Sequence, residues 1–125
     1  MRTAILVSLI CLIFLSGCSH GTVLYTEPGT TIEVQNRSRF TIELASNVTT
    51  GYSWDFAAPV DTDKIKVIKS YYSKPQNDLV GAGGTQGWIF ETVTPGSTTI
   101  ILVYKRPWEK SEPPIQTATF SIVIN

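Results

Sequence analysis

The most distinctive chemistry in this chain lies in three short segments, the first of which reads NVTTGY at residues 47–52. Two adjacent β-branched residues, Thr49 and Thr50, are followed at once by Gly51. Such side chains are stiff about χ1 and glycine accepts positive φ, so the segment predicts a sharply reversing and partly preorganised loop. An ordinary hairpin needs only Asn-Gly or Asp-Gly. The threonine pair therefore indicates a loop that contacts another molecule.

The second segment is rich in glycine and reads GAGG at residues 81–84. A glycine cluster can cradle phosphate, but that use requires a helix to follow it, and here a strand pattern containing Trp88 follows. We interpret the cluster as backbone that approaches a partner closely. A flexible hairpin without a contact role is the alternative.

The third segment is Arg106-Pro107-Trp108. Pro107 fixes its own φ and pushes Arg106 toward an extended conformation. An exposed tryptophan beside an arginine on a rigid loop is typical of an interface hot spot. In the alternative interpretation, Trp108 folds back as a lid over the core.

Groups that support catalysis are scarce in the sequence. The one histidine, His20, and both cysteines, Cys11 and Cys18, lie near the N-terminus, before the strand patterns begin. Cysteine–histidine and serine–histidine catalysis, and metal sites built on histidine or cysteine, therefore lack their parts. Asp61 and Asp63 stand two apart in a turn pattern, where paired acids are usually solvated. We predict a protein that is not an enzyme and that uses no cofactor or metal.

The N-terminal segment predicts export. A basic start and an apolar run over residues 4–15 lead to the sequence LSGC, which ends at Cys18. This ending resembles a bacterial lipobox, which implies a signal peptide at residues 1–17 and a lipid on Cys18. Residues 18–29 then form a lipid-anchored tether or a loosely held first strand. Ser19 favours the outer membrane if the host is Gram-negative. A plain secretory signal is the alternative.

Charge and cysteine content narrow the classes of partner. The chain has ten basic and ten acidic residues, so removal of Arg2 with the signal leaves a net charge of minus one. No basic field attracts nucleic acid, and no acidic run is present. Without Cys11 and with Cys18 lipidated, the folded part has no thiol or disulfide and depends on its hydrophobic core.

From Thr30 onward, apolar residues alternate with polar ones at a period of two, as in TTIEVQ, RFTIELA and YSWDFA. KIKVIKSYY alternates Ile65 and Val67 with lysines, although its register is uncertain. Such strands, separated by short turns, predict an all-β domain at residues 30–125: an immunoglobulin-like antiparallel β-sandwich of seven to eight strands. Alternate loops of such a sandwich share an end, so we expect the three segments to meet at one tip.

Together the three segments resemble the binding loops of the chagasin family of cysteine-peptidase inhibitors. The family pattern is Asn-Pro-Thr-Thr-Gly-aromatic, then Gly-X-Gly-Gly, then Arg-Pro-Trp or Arg-Pro-Phe. This chain departs from it at Val48, which stands in place of the proline and gives up some rigidity. The peptidase-binding residues that the resemblance implies are Asn47, Val48, Thr49, Thr50, Gly51, Tyr52, Gly81, Ala82, Gly83, Gly84, Arg106, Pro107 and Trp108.

The resemblance implies a monomeric, reversible, tight-binding competitive inhibitor of papain-like cysteine peptidases. The threonine loop would enter the active-site cleft and cover the catalytic cysteine, while the glycine loop would pass along one flank. Arg106 and Trp108 would grip the other flank. A lipid-anchored sandwich that binds a glycan or an envelope protein is the alternative function, because lectins also carry aromatic residues at loop tips.

Overall fold

The computed structural model describes residues 22–75, 81 and 83–125, which form two four-stranded β-sheets. The strands in chain order are β1 (Val23–Tyr25), β2 (Thr31–Val34), β3 (Arg39–Ser46), β4 (Ser53–Phe56), β5 (Ile65–Ser73), β6 (Gly84–Thr92), β7 (Gly96–Lys105) and β8 (Gln116–Ile124). The predicted all-β sandwich of seven to eight strands is confirmed. The predicted signal peptide, the lipid-bearing Cys18 and Ala82 lie outside the described residues.

One sheet has the strand order β1-β3-β6-β5 and the other has the order β2-β8-β7-β4. The prediction that all strands pair antiparallel is wrong at two edges, because β1 runs parallel to β3 and β2 runs parallel to β8. Hydrophobic alternation indicates which face of a strand is buried but not the direction of its neighbour, so the sequence pattern could not reveal these pairs. Val23–Tyr25, which the sequence left open between a tether and a first strand, is a strand of the sandwich.

The core lies between the inward faces of the two sheets, as the period of two predicts. Phe40 of β3 and Phe90 of β6 are fully buried and stack with their ring centroids 5.1 Å apart. Each such side chain contributes about 1.5–3 kcal/mol by leaving water. The other buried apolar residues are Ile32, Ile42, Leu44, Trp54, Ile65, Trp88, Ile100, Leu102, Tyr104, Ala118, Phe120, Ile122 and Ile124.

Strand β5 departs from its expected pattern. Ile65 is fully buried as predicted, but Val67 is 38% exposed. The pairing of β5 with β6 shifts between Val67 and Lys69, which marks a β-bulge. β5 is an edge strand, and only its first residue reaches the interior. In the described part of the chain, no helix is long and apolar enough to cross a membrane.

The hydroxyl of Tyr71 on β5 donates a hydrogen bond to the carboxylate of Glu43 on β3, across Gly87 of the strand between them. Burial and this bond to an acidic partner raise the pKa of Tyr71 to about 12. The folded chain therefore holds a proton that the unfolded chain releases near pH 10.

We expect the free energy of unfolding to contain this contribution in full below pH 10 and to lose it as the pH rises from about 10 toward 12. Urea denaturation at a series of alkaline pH values measures it. The free energy of unfolding of Tyr71→Phe should decline less steeply over that range, because the variant lacks the Tyr71 hydroxyl. All other groups that titrate at alkaline pH are the same in both proteins. Parallel declines would contradict the assignment.

Candidate functional site

The three predicted segments meet at one end of the sandwich. Ser46, the last residue of β3, pairs with Gly84, the first residue of β6, and in the other sheet Ser53 of β4 pairs with Lys105 of β7. We call this end the tip. It carries the first loop (residues 47–52), the described part of the second loop (residues 74, 75, 81 and 83) and the third loop (residues 106–115). The opposite end, with the connections 35–38, 57–64 and 93–95, is the base.

The first loop is a 3-10 turn over Val48–Thr50, with Asn47 at its N-cap and Gly51 at its C-cap. The Asn47 Oδ1 atom accepts hydrogen bonds from the Thr49 backbone N–H at 3.2 Å and from the Thr49 hydroxyl at 2.5 Å. The Thr50 hydroxyl donates to the Asn47 carbonyl at 2.7 Å. Gly51 has a φ of 81°, in the left-handed region that favours glycine. The loop is therefore rigid because of its own hydrogen bonds as well as its β-branched side chains.

Asn47 also connects the first loop to the second. Its Nδ2 atom donates to the Gly81 carbonyl at 3.0 Å, and its backbone N–H donates to the Tyr104 hydroxyl at 2.9 Å. A Cβ at Gly83 would lie 3.5 Å from the Asn47 Cβ, which is ordinary contact. One side chain thus caps the turn and holds the neighbouring loop at a fixed distance.

The glycines of the second segment have different surroundings. Gly81 has a φ of 80°, and no atom of the described residues lies within 4 Å of an added Cβ. Gly84 lies in β6, where an added Cβ would come within 2.7 Å of the Tyr72 ring. Glycine is thus required at residue 84 by the packing of Tyr72, whereas at residue 81 it allows the backbone conformation.

Arg106 joins the third loop to the first. Its Nε donates to the Thr50 carbonyl at 3.1 Å, and its guanidinium carbon lies 4.5 Å from the centroid of the Tyr52 ring. Its Nη1 pairs with the Glu109 carboxylate at 3.1 Å. The sequence predicted that Arg106 contacts a partner, which stays a prediction. The structure shows that Arg106 holds the first and third loops together.

Trp108 is 66% exposed at the edge of the tip. It does not cover the core, so the alternative of a lid over the core is wrong. Part of its ring lies against Gly51, where an added Cβ would be 3.0 Å from the Trp108 Cζ2 atom. The exposed indole is therefore supported from below by the turn that carries the threonines.

Two supporting residues beneath the tip were not predicted. Gln86 of β6 accepts from the Trp54 backbone N–H at 2.9 Å and donates to the Trp54 carbonyl at 2.8 Å, which links the two sheets under the first loop. Tyr104 of β7 places its hydroxyl under Asn47. A polar residue in an apolar strand was the available signal for Gln86, but its partner on another sheet is not encoded by spacing.

The arrangement provides a protruding binding surface. A hollow of about 210 Å³ lies beside the third loop, and its lining includes Tyr52, Arg106 and Ile115. Among the described residues, no group of three or more histidine, cysteine or acidic side chains is placed to hold a metal ion. What the tip offers is a rigid edge of hydroxyl, backbone and indole groups.

Replacing Asn47 with alanine removes an N-cap, which usually costs about 1 kcal/mol of stability, here that of the turn. Binding at the tip is expected to weaken by up to about the same amount, because the peptidase must then order a turn that Asn47 no longer holds. Asn36→Ala, in a connection at the base, is the matched control. Binding of each variant to a peptidase by titration calorimetry checks the prediction. Equal affinity of the Asn47 variant and wild type would contradict it.

Comparisons with known proteins agree in identifying one family. A model of the chagasin family peptidase inhibitor I42 matches residues 33–124. Amoebiasin-2 of Entamoeba histolytica is 31% identical over 98 residues, which cover 78% of this chain and 80% of that protein. Chagasin of Trypanosoma cruzi is 31% identical over 83 residues, which cover 64% of this chain and 76% of that protein. The crystal structure of the cysteine protease inhibitor EhICP2 from Entamoeba histolytica superposes with a TM-score of 0.75 at 28% identity, covering 83% of this chain and 96% of that one.

Proposed function

The chain belongs to the chagasin family of peptidase inhibitors, and from the geometry of its tip we propose that it is a reversible, tight-binding competitive inhibitor of papain-like cysteine peptidases. The three loops enter and flank the active-site cleft. The observation that carries the proposal is the pair of hydrogen bonds that connect the first loop to its neighbours, from Asn47 to the Gly81 carbonyl and from Arg106 to the Thr50 carbonyl.

Rigidity accounts for affinity in this proposal. A binding loop that is ordered before contact loses little conformational entropy on docking, and ordering costs decide affinity more than buried area does. The first loop is closed by bonds from Thr50 N–H to the Asn47 carbonyl at 3.3 Å and from Gly51 N–H to the Val48 carbonyl at 3.1 Å. A complete interface of standard size would bury about 1,600 Å² in total.

The shape of the first loop accounts for inhibition without cleavage. A closed 3-10 turn followed by a left-handed Gly51 does not present an extended peptide bond in line with a nucleophile. Thr49 and Thr50 therefore occupy the cleft as a wedge. Val48 is the first residue of the turn, a position where proline is well tolerated at the start of helical structure, so valine holds the place of the family's proline without altering the turn.

The proposed peptidase-binding residues are those that the sequence predicted. The surroundings of each residue indicate whether it contacts the peptidase or supports a loop. Thr49, Thr50 and Trp108 face the peptidase directly. Arg106 holds the first and third loops and offers its remaining N–H groups to the partner. Gly84 supports the second loop from within β6.

Inhibition kinetics with papain test the proposal. Purified protein is expected to raise the apparent KM for a peptide substrate without changing kcat, and to lose this effect on dilution. Chymotrypsin, a serine peptidase, is the control and should not be inhibited. An absence of inhibition at micromolar protein, for papain and for cathepsin-like enzymes, would overturn the proposal and favour binding of a glycan or an envelope protein.

We also propose that the protein acts by binding alone, as a monomer and without a cofactor. Incubation of the inhibitor with a peptide library in the absence of peptidase should leave every peptide intact. Analytical ultracentrifugation should give the mass of one chain.

The location of the protein is a further part of the proposal. The LSGC sequence supports removal of residues 1–17 and attachment of a diacylglyceryl group to Cys18, which would hold the domain at a cell-envelope membrane. Mass spectrometry of the protein purified from membranes tests this. Cys18→Ser should remove the lipid mass and release the chain into the soluble fraction, and an unmodified Cys18 in the wild type would overturn the anchor.

A further inference from the structure

We propose that the domain stands on its membrane by its base, with the tip held on the aqueous side, so that its partners are peptidases that approach from solution. This inference rests on the proposed lipid anchor at Cys18. It adds the direction in which the tip faces, which follows from the direction of β1 in the sheet.

The chain enters the sandwich at the base. β3 runs from Arg39 at the base to Ser46 at the tip, and β1 is parallel to it, with Val23 opposite Phe40. Thr22 therefore lies beside the start of β3, at the end of the sandwich remote from the three loops. A β1 antiparallel to β3 would have placed the point of attachment toward the tip.

The chain between the anchor and the sandwich is too short to let the domain turn over. Thr22 follows Cys18 by four residues, which span about 14 Å at most when fully extended. β7, which runs from Gly96 at the base to Lys105 at the tip, is about 30 Å long at the usual rise per residue. Thr22 lies beside Arg39, seven residues before the tip end of β3, so a tip pressed onto the bilayer would lift Thr22 at least about 23 Å above it, which is beyond the reach of the chain.

Charges at the base do not create a competing orientation. Arg39 and Lys66 both pair with Glu91, at 2.9 and 3.4 Å. The three base connections themselves carry two basic and two acidic side chains, namely Arg37, Lys64, Asp61 and Asp63. The direction is therefore determined by the covalent attachment rather than by a charged face.

Apolar side chains near the point of attachment fit a lipid surface. Val23 and Leu24 of β1 are 53% and 50% exposed, and Val93 in a base connection is 43% exposed. Side chains of this kind partition into the boundary between headgroups and acyl chains when an anchor brings them close. A peptidase in solution can then bind only with its active-site cleft turned toward the membrane. The tip could not reach the cleft of a peptidase that is itself held at the bilayer surface.

Energy transfer to the bilayer tests the orientation. The full chain is expressed with its signal, and the lipidated protein is reconstituted into vesicles containing an acceptor-labelled lipid. Thr94→Cys places a donor dye at the base, and Ser111→Cys places it on the third loop; both positions are exposed. Transfer is expected to be strong from residue 94 and weak from residue 111. Equal transfer, or stronger transfer from residue 111, would overturn the inference.

A reversed attachment provides the functional control. In a Cys18→Ser chain without the signal residues 1–17, and therefore without Cys11, Ser111→Cys is coupled to a maleimide lipid, so that the tip faces the same vesicle. The natural lipoprotein is expected to inhibit soluble papain equally on vesicles and in detergent. The reversed protein is expected to lose inhibition on vesicles and to regain it in detergent. Full inhibition by the reversed protein on vesicles would contradict the inference.

The experiment separates this inference from the proposals beneath it. If Cys18 carries no lipid, the anchor proposal fails. The orientation can still be measured by coupling a maleimide lipid to Cys18 and testing papain inhibition on vesicles. If the protein does not inhibit papain even in detergent, the inhibitor proposal fails, and energy transfer still decides the orientation.

Discussion

Trp108→Ala is expected to weaken inhibition of papain about thirtyfold or more, which corresponds to about 2 kcal/mol of binding free energy. The indole is 66% exposed, and its contact with the rest of the molecule is a supporting one with Gly51. Little folding stability therefore depends on it, whereas a large rigid aromatic at the edge of a binding surface is a typical anchor. The inhibition constant and the thermal unfolding curve of the same sample measure both effects.

The matched control is Leu24→Ala, which removes an exposed apolar side chain from the base. Inhibition by that variant should equal that of the wild type in solution. The assignment of Trp108 fails if its variant inhibits within twofold of wild type. If the variant loses both its inhibition and its thermal unfolding transition, Trp108 is instead a structural residue.

Much of the architecture could be predicted from local pattern. The inward positions of Phe40, Ile42 and Leu44 follow from alternation, because a strand with one buried face must place every second side chain in the core. The meeting of the three segments at one tip follows from the alternating directions of β3 to β8. The two parallel pairs leave this prediction intact, because each joins two strands that already run in the same direction: β1 with β3, and β2 with β8.

The local sequence pattern could not predict contacts between the two sheets or the exposure of side chains on edge strands. Gln86 binds the backbone of Trp54 only because the two sheets pack at that distance. Val67 has the expected alternation but lies beside a bulge on an edge strand. Arg106 shows the same limit at the site, since its spacing beside Pro107 and Trp108 indicates a contact residue but not the carbonyl of Thr50 that it binds.

Gly51→Ala is expected to reduce inhibition nearly as much as Trp108→Ala, by about 2 kcal/mol, through a different route. Residue 51 has a φ of 81°, and an alanine there costs about 1 kcal/mol of folding stability. Its methyl group would also collide with the Trp108 ring, which must leave its supported position. The anchor then has to be ordered again when the peptidase binds.

Gly29→Ala is the control that separates these two effects. Gly29 has nearly the same backbone conformation, with a φ of 83°, but no atom of the described residues lies within 4 Å of an added Cβ. Its N–H bonds to the Thr119 carbonyl of β8, and the residue belongs to none of the three loops. Both variants should lose about 1 kcal/mol of unfolding free energy in urea, and only Gly51→Ala should lose inhibition. Equal inhibition by the two variants would show that the support under Trp108 is irrelevant to binding.

A double-mutant cycle then decides whether Gly51 acts through the indole. If it does, Gly51→Ala added to Trp108→Ala should cost little more than Trp108→Ala alone, because the ring that the methyl group displaces is already absent. Additive losses would mean that the left-handed Gly51 matters for the shape of the threonine turn itself. In that case the wedge formed by Thr49 and Thr50, and not the support of Trp108, depends on glycine at residue 51.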